Sequence, residues 1–103
     1  MTEMECAMAR ALWSCTFVPA TGTKRFARDM AEKAEKHIDH LLTQRQRGYL
    51  LLSCYRFRKQ IKKQPAGPEL LGLVYAELLA HPELLEGFTV NKELRLWWQE
   101  AFS

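Results

Sequence analysis

Acidic residues are missing from His40 to Pro68, while the same stretch carries seven Arg and Lys side chains. A helix face that is merely solvated usually mixes charge signs, so a segment of one sign points to a counter-charge, inside the chain or on a partner. Long apolar runs are missing too: none approaches the roughly 18 residues needed to cross a bilayer, so no membrane partner is expected. Glu3 and Glu5 stand where a secretory leader would be positively charged, so a cytoplasmic protein is expected. Cysteine is scarce. Cys6, Cys15 and Cys54 are odd in number and lack C-x-x-C spacing, which argues against a zinc ribbon or a dithiol redox site. They read as reduced thiols packed as small apolar residues. Period-two alternation, internal repeats and low-complexity tracts are absent as well, which leaves little room for a sheet or a solenoid.

What remains is a chain of 103 residues, 48% apolar and 26% charged. That size supports one domain, residues 1–103, with a core large enough to fold alone but with little margin, so homodimerisation stays open. The net charge of +3 conceals a polarised layout. Residues 1–39 balance six basic against six acidic side chains, residues 40–68 contribute +7, and residues 69–103 contribute −4.

Apolar spacing is helical almost throughout. Thr2 with Glu5 has capping-box form and opens a first helix that must stop before Val18-Pro19. Thr21 or Thr23 caps a second helix from about Lys24 to His40, with Phe26, Met30, Ala34 and Leu41 on its apolar side and Ala27, Ala31 and Ile38 alongside. Thr43 with Gln46 repeats the capping box and opens a third helix, closed near QPAG. Pro68 starts a fourth through Leu70, Leu71, Val74, Leu78 and Leu79. His81-Pro82 leaves one further turn, and Asn91 caps a last helix bearing Trp97 and Trp98. The expected fold is all-α, a compact single-domain bundle of about five helices.

At 100° per residue the third helix sorts into faces. Leu50, Cys54, Phe57 and Ile61 form a core seam. Opposite lie Arg45, Tyr49, Leu52, Arg56, Lys59 and Lys63, while Arg47, Arg58 and Lys62 flank the seam. A positive face with an embedded aromatic suits phosphates with a stacked base, or an acidic protein surface anchored by Tyr and Arg. The bland alternative is that the acidic C-terminal helices neutralise it internally.

The stretch LTQRQRGYL resembles the opening of the first helix in some bacterial winged-helix repressors, LT-x-[RK]-Q-x-x-x-L. The compact helix-turn-helix and wing strands of those proteins do not follow, so no recognition helix is carried over. More broadly, LT-x-x-Q-x-x-Y-L leading into YRFRKQI resembles small accessory proteins of phages and other mobile elements. That resemblance implies, by analogy, a phage-encoded inhibitor docking on a host nucleic-acid machine such as a CRISPR effector.

Chemistry-bearing motifs are sparse. His37 and His40 lie one turn apart without a third ligand at recognisable spacing, and favourable contact with a helix C-terminus explains them better than a metal. Cys54 falls on the core seam, and no glycine-rich phosphate loop, G-x-S-x-G or H-E-x-x-H occurs. A non-enzymatic binding protein without cofactor or metal is therefore expected. The basic helix and Trp98 are its candidate contact residues. An acidic protein is slightly preferred over nucleic acid as the partner, because the −4 segment repels phosphates unless the fold holds it apart.

Overall fold

Both capping boxes form. In the computed structural model, which describes residues 1–17 and 22–85, Thr2 Oγ1 accepts from Glu5 N at 3.1 Å while Glu5 Oε1 accepts from Thr2 N at 2.8 Å. This starts α1, Glu3–Trp13. Thr43 and Gln46 make the same reciprocal pair and start α3, Gln44–Arg56. Each box satisfies two backbone donors that a bare helix end would leave unpaired. Between these helices lies α2, Gly22–Lys36. After α3 come a one-turn α4, Arg58–Ile61, then α5, Gly67–Ala80, and a 3-10 turn, Pro82–Leu85. No strand occurs among the described residues, and the fold is the expected all-α bundle. Val18-Pro19, Thr21, the Asn91-capped helix, Trp97 and Trp98 lie outside the described residues.

The core gathers on α3. Every residue from Leu50 to Tyr55 is buried, with Leu50, Leu51, Leu52 and Cys54 wholly so. A helix buried all round must be central, and α3 packs against α1, α5 and the 3-10 turn. Met8 and Leu12 of α1, Met30 of α2, and Leu71 and Val74 of α5 complete the cluster. Each such side chain contributes about 1.5–3 kcal/mol when fully buried.

Two glycines permit this closeness. A Cβ on Gly48 would stand 2.2 Å from the Leu84 carbonyl oxygen, so the 3-10 turn rests directly on the α3 backbone. A Cβ on Gly67 would stand 1.9 Å from the Ile61 carbonyl oxygen, where α5 leaves α4. Just before it, Ala66 adopts the left-handed conformation, φ 58°.

Four features depart from the helical count. First, α2 ends at Lys36 and not at His40; the amino group of Met1 donates to the carbonyls of Ile38 and His40, at 2.8 Å for the latter. Ile38 and Leu41 consequently stand 59% and 85% exposed rather than on an apolar seam. Second, the third helix is broken at Phe57, whose φ −99° and ψ 20° leave the helical region. Third, Leu52 is buried, because a central helix has no free side at its middle. Fourth, Leu79 is 58% exposed, while Tyr75 takes an inward place on α5.

Candidate functional site

Around the break at Phe57 the structure assembles a basic end. Gln60 clasps the segment after α1 at two points: its Oε1 accepts from Thr16 N at 2.7 Å, and its Nε2 donates to Thr16 O at 3.2 Å. Gln64 Nε2 donates to Ala11 O at 2.9 Å, satisfying a carbonyl in the last turn of α1. Phe57 lies against Phe17 with ring centroids 4.9 Å apart. These contacts fix α4 and the turn behind it to the C-terminal end of α1. Arg56, Lys59, Lys62 and Lys63 are left exposed, and none of them pairs with a described carboxylate. Four free cations thus sit within eight consecutive residues.

The remaining expected contact residues scatter. Arg47 turns inward and bridges two carboxylates, its Nε 3.6 Å from Glu5 Oε2 and its Nη2 donating to Glu77 Oε1. It therefore ties α3 to α1 and α5, and part of the positive charge is neutralised inside the fold. Arg58 folds over the Tyr55 ring, 4.6 Å from its centroid, and donates to the Tyr55 carbonyl at 3.2 Å. Leu52 has no surface to offer. Trp98 lies outside the described residues.

Arg45 and Tyr49 meet at the opposite end of α3. They line an open cavity of about 480 Å³ with Gly22 and Phe26 of α2 and with Thr43 and Gln46. Phe26 and Tyr49 pack edge to face, centroids 4.6 Å apart and planes at 80°, and the Tyr49 hydroxyl bonds Thr23 Oγ1 at 3.1 Å. Tyr49 is half-buried by this contact, whereas Arg45 is exposed. Spacing alone could not reveal Phe26 or Gly22 here, since their proximity to Tyr49 is set by how α2 lies beside α3. Gln60 and Gln64 left a faint mark, as uncharged polar residues at i,i+4 inside a basic run.

Of the described acidic side chains, Glu5, Glu77 and Glu83 lie towards the Arg47 end, whereas exposed Glu69 stands in the first turn of α5, close after the basic end. Glu77 meets Arg47, and His81 stands 3.2 Å from Glu83 Oε1. Along α3, Arg47 and Arg56 are about 14 Å apart at 1.5 Å per residue, beyond the roughly 8 Å screening length of physiological salt. Glu69 is the one acid between residues 40 and 76.

The three cysteines are free and buried. Burial pushes the Cys54 thiol far above its usual range, with nearby Cys15 adding to the shift, and burial raises Cys15 as well. Neither is a ready nucleophile. His37 and His40 are exposed beyond the end of α2, and no three His, Cys, Asp or Glu side chains converge among the described residues. No described helix is long and apolar enough to cross a membrane. Comparison with protein-family models, curated proteins and solved structures returns no match.

Proposed function

We propose that this chain is a non-enzymatic nucleic-acid-binding protein that grips the phosphate backbone through Arg56, Lys59, Lys62 and Lys63. The observation that carries the reading is the composition of the exposed basic end. Three of its four free cations are lysines, and the neighbouring rings are occupied, Tyr55 under Arg58 and Phe57 against Phe17. Protein interfaces are depleted in lysine and depend on desolvated aromatic or arginine anchors. Lysines on flexible stems with no apolar anchor suit phosphates, which need only charge. Glu77 and Glu83 of the acidic segment are drawn to the Arg47 end, which lessens the repulsion those two would exert on phosphates at the basic end.

The test is a titration of labelled single-stranded and duplex DNA and RNA at about 50 mM and about 200 mM salt. Binding should weaken steeply between the two, and charge reversal at Arg56 and Lys59 should abolish it. A wild-type chain that leaves every nucleic acid free at the lower salt, yet forms a stoichiometric complex with one acidic protein, overturns the reading.

A further inference from the structure

The cavity beside Arg45 plays no part in backbone contact through the basic end, and its lining calls for a different kind of group. We infer that it is a subsite for one unstacked nucleobase of a single strand whose phosphates further on reach the basic end; this rests on the backbone-binding reading and narrows it to single-stranded nucleic acid. At about 480 Å³ the cavity falls in the range of small-ligand sites. One wall is aromatic, made by Phe26 and Tyr49, and Tyr49 is held by its bond to Thr23, so the ring is in place before any ligand arrives.

Several polar groups at the cavity can donate hydrogen bonds. Gln46 uses Oε1 to accept from Thr43 N, which leaves its Nε2 free to donate. Thr43 Oγ1 accepts from Gln46 N and retains its hydroxyl hydrogen. Arg45 stands exposed among the lining residues, makes no ion pair with a described residue, and no described Asp or Glu lines the cavity. Two donors at an aromatic wall match the carbonyl acceptors of a pyrimidine edge, and the guanidinium matches the attached phosphate. A Phe or Trp side chain from a protein would leave both donors unanswered, and a duplex keeps its bases stacked away from such a wall.

Arg45 and Arg56 are eleven residues apart, which places them about 16 Å apart along α3 and about 20° apart around its axis. One strand spanning that distance, over the elements that cover the buried middle of α3, can seat a base at one end and set phosphates on the lysines at the other.

Gly22 makes the test clean. A Cβ added there meets no described atom within 4 Å, so position 22 has room to start a side chain, and Gly22→Trp places a bulky ring at the cavity lining. The probes are oligo(dT), a blunt duplex of equal charge and inorganic polyphosphate, each titrated over a range of salt. Wild type should prefer oligo(dT), and Gly22→Trp should bind it about tenfold more weakly or worse at every salt concentration, the loss expected for one stacked base. Its affinity for duplex and polyphosphate should stay within about twofold of wild type, and Gly22→Leu should show a smaller loss. Oligo(dT) affinity left intact in Gly22→Trp overturns the subsite while backbone binding stands. Wild type that binds none of the three polyanions overturns both. A cavity-dependent affinity for a Glu/Phe copolymer without affinity for oligo(dT) reassigns the cavity to an acidic protein and overturns the inference.

Discussion

Neutralising Lys59 and Lys62 together gives a response whose size follows from the structure. Four cations at the basic end are free of described carboxylates, so at most four condensed counterions are displaced there when a strand binds. For single strands log K falls with log salt by about 0.7 per phosphate neutralised. The four contacts at this end contribute about −2.8 to the slope, and raising salt from about 50 to about 200 mM weakens binding about 50-fold through them. Removing Lys59 and Lys62 as alanines halves that contribution. It should fall to about −1.4, so that the same change of salt costs only about sevenfold through this end.

Fluorescence anisotropy of a labelled oligonucleotide at five or more salt concentrations reads the slope directly. Both lysines are exposed, so the fold should hardly notice, with a stability change within about 0.5 kcal/mol. Lys36→Ala is the control, since Lys36 already faces Glu32 at 4.0 Å and should leave the slope unchanged. A double variant that keeps the full wild-type slope would refute the assignment of the phosphates to this end. So would a wild-type slope near zero.

Other expectations test the scaffold. Gly48→Ala, which would stabilise an exposed helix by about 1 kcal/mol, should destabilise this one by about 1–3 kcal/mol, because its Cβ would stand 2.2 Å from the Leu84 carbonyl oxygen. Thermal melting decides the sign, at roughly 4–8 °C per kcal/mol. Arg47→Met keeps the apolar stem but strands Glu5, which is 6% exposed. A loss of about 1–3 kcal/mol in urea unfolding is expected, and Glu5→Gln in the same chain should recover part of it. Cys54 sets an alkaline limit: its folded thiol is raised by burial, so above the unfolded value near 8.5 the unfolded chain sheds a proton that the folded chain keeps. Stability should therefore fall as pH rises beyond that point, and Cys54→Ala should remove about 1.4 kcal/mol per pH unit of that slope.

Local chemistry was legible in the sequence wherever a few adjacent residues decide it. Thr2 with Glu5 and Thr43 with Gln46 specify helix starts through bonds made within four residues, and both formed. Pro68 at the head of α5 is equally local. The end of α2 was not, because the Met1 amino group that meets the carbonyls of Ile38 and His40 comes from far along the chain. The fate of Arg47 was hidden for the same reason: Glu5 and Glu77 approach it from two other helices. Residue type gave no warning that Arg47 would turn inward while Arg45, two positions earlier, would not.

The face of α3 shows why periodicity reaches its limit on a central helix. A wheel divides a helix into an inside and an outside, which presumes that one side meets solvent. From Leu50 to Tyr55 neither side of α3 does. The sequence carried a hint, since those six residues are uncharged between basic flanks. A stripe drawn across that middle therefore joins two surfaces that share a helix but not a continuous skin. Beyond Phe57 the break also ends the 100° count, so Lys59 and Lys63 owe their exposure to the Gln60 and Gln64 clasp on α1 rather than to phase with Tyr49. The positive charge acts as two separate ends. One is lysine-rich and lacks a free ring among the described residues; the other sets Arg45 beside an aromatic cavity. On the proposed reading, that division should let salt dependence and base preference be perturbed independently, by Lys59 and Lys62 at one end and Gly22 at the other.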